Sequence, residues 1–294
     1  MNGRAVPLVL ALFGPALPLV AQGFQYEGGL SVASGTYIFT ERTTSWSLFT
    51  GFAVDKDRVT LRASLPVHVQ NTTLVSLSGP GGRLPTGGSS SGVVADSGAA
   101  RKGRSGGGDG MRAVRAQAAM GEVEVPSSAV TGYEASVGDP TAQLAWRALN
   151  GQRTGLSVSL LAKVPVADTG SFGTGQWDVG SSIAVSQALR GRGRLGLDLT
   201  YWKLGDLSTL DFRDPVYGSA SVSYLKPNAW GVEINLSAGT SSLDGYNGPI
   251  WVGGSIARVS RRGSWAMGGT VGLSETTPDF TVSLTWKVDL IAGL

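Results

Sequence analysis

A single histidine, His68, and a complete lack of cysteine leave this chain few routes to nucleophilic or metal chemistry. Ser64 shares a strand face with His68. Four residues of extended chain nevertheless separate the two by roughly 13 Å at ~3.3 Å per residue, so they make no dyad. A partner from another strand keeps a barrel-embedded hydrolase using His68 open as an alternative. Metal-ligand spacing is absent, because His and Cys do not cluster and Asp55-Lys56-Asp57 reads as a turn. Gly103-Arg104-Ser105-Gly106 lacks the flanking strand and helix of a phosphate loop. No catalytic residue, cofactor or metal is expected, and the chain reads as a non-enzyme. What remains is a set of scattered polar side chains: Arg62, His68, Arg147, Lys163, Asp178, Asp198, Trp202, Glu233 and Lys287, with Asp289 beside them.

The elements that carry these residues are strands of alternating polarity. Phe280, Val282, Leu284, Trp286, Val288 and Leu290 share one face, and Thr281, Ser283, Thr285, Lys287 and Asp289 the other. A period of two marks a strand with one apolar and one wet side. The same division sets Leu195, Leu197, Leu199 and Tyr201 against Asp198, Thr200 and Trp202, and Val59, Leu61, Ala63, Leu65 and Val67 against Arg62, Ser64 and His68. Twelve such segments can be read between residues 26 and 290, the first, Tyr26 to Thr40, being the least regular, with a bend expected at Gly35.

Connections between segments alternate in length. Asp55-Lys56-Asp57, Asn150-Gly151-Gln152-Arg153, Arg190-Gly191-Arg192-Gly193, Lys226-Pro227-Asn228 and Arg261-Arg262-Gly263 are tight turns rich in turn formers. The intervening joins, such as residues 71 to 139, 205 to 215 and 241 to 249, are mostly longer. A soluble sandwich has no reason to sort loops onto one end by length. An outer-membrane barrel does, with tight periplasmic turns, longer outward loops, an even strand count and both termini in the periplasm. Most segments reach the approximately 9 to 11 residues that a tilted strand needs to cross hydrocarbon.

Composition agrees with that reading. Charged residues make up 15% and hydrophobic residues 41% of the chain, with 44 glycines. The mean hydropathy of +0.08 is far too low for a bundle of membrane helices, and it suits strands that average a lipid face with a wet one. A net charge of +3, with no basic stripe among aromatics, argues against nucleic acid. Residues 1–23 have the form of a secretory signal: Arg4, an apolar run from Val6 to Val20, and Ala21-Gln22-Gly23 as a small-x-small cleavage site. Residues 24–294 then form the barrel domain, and residues 71–132, rich in glycine and in Arg and Lys, an extracellular loop suited to lipopolysaccharide, to constricting the pore, or to no role beyond a tolerated insertion. Two aromatic girdles are expected: Tyr37, Phe39, Trp46, Trp177, Trp202, Tyr217, Trp251 and Phe280 at the long-loop end, and Phe52, Trp146, Tyr224, Trp230, Trp265 and Trp286 at the other.

Gly138-Asp139-Pro140, Lys163-Val164-Pro165-Val166-Ala167-Asp168 and Gly173-Thr174-Gly175-Gln176-Trp177-Asp178 together resemble the transporter-like outer-membrane β-barrel family linked to the meta-pathway of phenol degradation. The likeness runs over roughly residues 136 to 290, with Lys163, Pro165, Gly173, Gly175 and Asp178 as the matching positions. It implies an exported barrel passing hydrophobic or aromatic small molecules, and no catalytic residue. The insertion at 71–132 and the ending Ile291-Ala292-Gly293-Leu294, which lacks a terminal aromatic, depart from that pattern.

The sequence therefore predicts an all-β fold, a twelve-stranded antiparallel transmembrane β-barrel in the outer membrane of a Gram-negative-type bacterium. Its expected role is porin-like: a passive channel or facilitator for small, hydrophobic or amphipathic solutes. The nine polar and aromatic residues named at the outset are its expected pore lining. Expected partners are outer-membrane lipid and lipopolysaccharide, small-molecule solutes and the barrel-assembly machinery. A structural or adhesive barrel displaying residues 71–132 is the remaining alternative.

Overall fold

The computed structural model describes residues 23–39, 41–72, 75, 132–167, 172–206, 212–226 and 229–291. The expected signal segment lies outside them except for Gly23, and so does most of the 71–132 loop.

Alternation and tight turns produce a meander of strands: β1 (Gly23–Gly35), β2 (Thr43–Lys56), β3 (Val59–Gln70), β4 (Glu134–Val137), β5 (Thr141–Asn150), β6 (Thr154–Lys163), β7 (Asp178–Ala188), β8 (Gly193–Lys203), β9 (Val216–Leu225), β10 (Trp230–Gly239), β11 (Ile250–Ser260), β12 (Gly263–Gly272) and β13 (Phe280–Ile291). Every pairing is between antiparallel neighbours, and β1 also pairs with β13, which closes the sheet on itself. β4 and β5 both pair with β3, one beyond the other, so they are two pieces of one stave interrupted at Gly138-Asp139-Pro140. The barrel thus has the twelve staves that the sequence predicts. Closure leaves no edge, so backbone N–H and C=O groups are satisfied within the wall, as hydrocarbon requires.

Cross-strand register separates the two surfaces. Leu156, Val185, Leu197, Ala220, Leu236, Val252, Val271 and Phe280 follow one another across successive strands from β6 to β13. Most of these are large apolar side chains open to the exterior. One residue along, Ser157, Ala184, Asp198, Ser219, Ser237 and Trp251 form the opposite ladder, which faces the lumen. The tight turns fall between β2 and β3, β5 and β6, β7 and β8, β9 and β10, and β11 and β12. Asp57 (φ 53°) and Gly191 (φ 76°) take the left-handed conformation that such reversals need.

Two expectations are corrected. The first segment starts at Gly23 and stops at Gly35, where a Cβ would lie 2.6 Å from the Asp279 nitrogen, and residues 36 to 39 turn off the wall. The long-loop girdle is also thinner than expected. Trp46, Trp177 and Phe280 are open to the exterior, whereas Tyr37 and Phe39 are buried inside, and Trp202, Tyr217 and Trp251 belong to the lumen-facing parity. At the short-turn end Phe52, Trp146, Tyr224 and Trp265 stand on the outer wall as predicted.

Candidate functional site

The lumen has three tiers. The lowest lies toward the short turns, where the first, second, third, fifth and last strands bring charges together. Glu27 on β1 accepts Lys287 Nζ from β13 at 2.9 Å and faces Arg62 Nε from β3 at 3.6 Å. Arg147 on β5 reaches Asp55 on β2 at 3.3 Å, and the Gln25 amide donates to Asp289 at 2.8 Å. Arg62, Arg147 and Lys287 remain partly open while Glu27 is largely covered, so the cations face the lumen and the carboxylate anchors them.

The middle tier is small and polar. Ser182, Ser219, Ser221, Ser255, Gly268 and Ser283 sit on lumen-facing positions, where short side chains leave space that Leu or Phe would fill. Asp198 accepts from the Thr200 hydroxyl at 3.1 Å, and Glu233 makes no ion pair among the described residues. Above this tier, toward the loop ends of β2 and β3, His68 Nδ1 lies 2.8 Å from Ser47 Oγ on the neighbouring strand β2. That is the contact of a nucleophile and its base, yet the pair is on the inner side of the wall, His68 is 6% exposed, and Trp46 and Leu48 cover the outer side.

The upper tier is apolar. Tyr37, Ile38 and Phe39 from the β1–β2 join, Val75 from the β3–β4 join, Ala167 and Phe172 from β6–β7, Leu204 and Phe212 from β8–β9, and Leu243 from β10–β11 form one buried cluster. Trp202 and Tyr246 pack against it. Five of the six long joins thus send hydrophobic side chains to a shared point at the loop end of the barrel.

A buried ionic knot holds the loops beneath this cluster. Lys163 Nζ, at the end of β6, lies 2.9 Å from Asp178 Oδ2 at the start of β7, 3.2 Å from Asp139 Oδ2 in the β4–β5 break, and 2.9 Å from Thr174 Oγ1. All three charged side chains are at most 3% exposed. Asp139 Oδ1 also accepts the Val166 and Ala167 N–H groups at 2.8 Å each, and Asp178 Oδ1 accepts the Gly205 N–H at 3.0 Å. Gly173 must lack a side chain, since a Cβ would meet Asp139 Oδ2 at 3.1 Å and Ala167 Cβ at 2.8 Å, and Gly175 (φ 68°) supplies a left-handed turn.

Of the residues expected to line a passage, Arg62 and Lys287 meet through Glu27, and Lys163 meets Asp178 directly. Arg147, Asp198, Glu233 and Trp202 share the inward parity without touching one another in the contacts above, and His68 is inward but sealed. Glu27, Asp55 and Asp139 are the members that sequence reasoning missed. Asp139 had a signal, being the acid in the Gly-Asp-Pro stave break of the same constellation as Lys163 and Asp178.

No family model matches the chain, and no curated protein does either. Solved structures do. An outer-membrane channel from Pseudomonas putida F1 superposes with a TM-score of 0.60 at 13% identity, covering 94% of this chain and 98% of that one. A monoaromatic hydrocarbon channel, CymD, gives 0.47 at 9% identity over 92% of this chain and 89% of its own. The toluene transporter TodX of P. putida gives 0.45 at 12% identity over 92% and 91%. At such identities the first likeness is one of fold: this chain has the fold of an outer-membrane channel.

Proposed function

We propose that the protein is a passive outer-membrane channel or facilitator for small hydrophobic or amphipathic solutes, with its long loops outward. The observation that carries this reading is the pairing of an aromatic-rich apolar cluster at the loop mouth with a lumen of small polar residues and charges below it. A solute with an apolar body would partition into the first and be released through the second, because each successive tier is more polar. Trp202, which packs against that cluster, and Tyr217 and Trp251, which share its inward parity, are aromatic side chains on the lumen side of the wall, which suits aromatic rings. The resemblance to barrels of the phenol meta-pathway points to monoaromatic compounds as first candidates. Arg62, Arg147, Lys287, Asp198 and Glu233 are the residues that would border the lower passage, while Lys163 and Asp178 would support the loops from within. Net movement would follow the concentration gradient. Residues 1–23 would serve as the export signal, the barrel-assembly machinery would insert the chain, and residues 71–132 would stand outward near lipopolysaccharide.

The test is uptake by proteoliposomes loaded with the refolded full chain. Monoaromatic solutes such as phenol or toluene are expected to equilibrate faster than across protein-free vesicles, and a hexose of comparable size to gain far less. Equal gain for both, or none for the aromatics, would count against a channel of this selectivity.

A further inference from the structure

We propose that the short-turn rim of the barrel is a binding surface for the anionic headgroups of phospholipids in the adjoining leaflet. Every tight turn contributes exposed cations. Lys56 and Arg58 flank the first, Arg153 ends the second, and Arg190 and Arg192 frame Gly191 in the third. Lys226 opens the fourth, and Arg261 and Arg262 make the fifth. Asp55 and Asp57 are the only carboxylates in these turns, and Asp55 is turned to Arg147 in the lumen. Among the described residues none of these cations lies within ion-pair distance of a carboxylate.

The loop rim is built differently. There Arg42 pairs with Asp279 at 2.7 Å, Arg213 with Asp244 at 2.6 Å, and Lys203 with Asp214 at 3.8 Å. Among the described residues, the loop-rim cations are neutralised by the chain itself, and those of the turn rim are left for an external partner.

The outer wall next to the turns says which partner. Trp230 and Trp265 stack edge to face at 5.4 Å, and the Arg258 guanidinium carbon sits 5.5 Å from the Trp230 ring centroid. Arg258 is opposite Trp265 on the outward ladder and is exposed, so its charge emerges on the lipid-facing wall where the apolar band ends. An acidic soluble protein would reach the underside of the turns but not this position. Headgroups of anionic phospholipids reach both, and a cationic ring under an aromatic collar lies at their depth.

The full chain is reconstituted into phosphatidylcholine vesicles with or without phosphatidylglycerol, and energy transfer from tryptophan to headgroup-labelled lipid reports which lipid surrounds the wall. Labelled phosphatidylglycerol is expected to be favoured over labelled phosphatidylcholine by on the order of five- to tenfold, less so in high salt. Combining Arg190→Gln, Arg192→Gln, Arg258→Gln, Arg261→Gln and Arg262→Gln should abolish that preference. Arg42→Gln with Arg213→Gln, at the other rim, should leave it intact. Heat-dependent gel mobility shows that each variant is folded. No preference in the native chain, a preference that survives the five substitutions, or an equal loss in the opposite-rim variant overturns the proposal. Solute flux is not read, so such a failure leaves the channel reading standing. A chain that enters neither vesicle overturns the barrel and this rim together.

Discussion

Lys163 is the residue whose environment is least forgiving. Two carboxylates share its ammonium in a site closed to water, so removing the cation leaves uncompensated buried charge, which costs roughly 3–5 kcal/mol. Lys163→Met is expected to lower unfolding stability by about that much in urea titrations of the reconstituted chain, and adding Asp178→Asn should recover part of the loss because the two changes are not additive. Asp214 answers to pH instead. It lies in the β8–β9 join, where the Leu204 N–H holds its carboxyl below the ordinary value of 3.8 against the opposing effect of burial, with smaller help from the Tyr201 hydroxyl and Lys203. A lowered folded value means that the contribution is present above about pH 4 and is lost as pH falls through it. Asp214→Asn should therefore change the thermal midpoint above pH 4 and converge with the parent in stronger acid. At this scale the sequence was only partly legible. Lys163 and Asp178 could be placed on the inner face by parity, but their burial could not, because it arises from joins folding back over them. Ser47 was invisible as the partner of His68 for a related reason: cross-strand register pairs residues 21 apart, and a search along one strand finds only Ser64.

At the scale of elements, the strands were readable where they cross hydrocarbon and less so where they leave it. Between the interfaces every second side chain must be apolar, so Leu195 to Tyr201 or Phe280 to Leu290 declare their faces. Past the interface that demand lapses, and an aromatic can turn either way. Trp46 turned to the exterior and Phe39 to the interior, although both were expected in one girdle. Strand β1 was the hardest to read, and Glu27 was missed with it. That carboxylate ties β1 to β13 across the closure and to β3 beyond β2, so it organises the lower tier. Glu27→Gln would leave Arg62 and Lys287 with unbalanced positive charge facing the lumen. The expected outcome is a shift of reversal potential toward anion preference in bilayers under a salt gradient, with closure retained because the backbone ladder of β1 and β13 is untouched. An unchanged reversal potential would mean that ions do not pass this tier.

Over the whole molecule the barrel is polarised along its axis, apolar at the loop mouth, small and polar at mid-height and charged near the turns. The closed wall and the sorting of loops were visible in the sequence because they follow from local pattern; the apolar cluster was not, since it assembles from joins that are distant in the chain and share no period. Its position makes a prediction about access. If the cluster is both the first resting place of a solute and the barrier to ions, then hollowing it must separate two properties that usually change together. Phe39→Ala with Phe172→Ala removes two buried rings from the cluster without touching Lys163, Asp139 or Asp178. Packing lost at the mouth is expected to cost several kcal/mol in total by analogy with other buried Phe→Ala changes, so folded protein should be confirmed by gel mobility before flux is read. Ion conductance should then rise, because a dry constriction has been opened. Uptake of monoaromatic solutes relative to a sugar should fall, because the surface that concentrated them is smaller. A simple hole through an otherwise indifferent lumen would raise both fluxes in parallel, and a cluster with no part in transport would change neither.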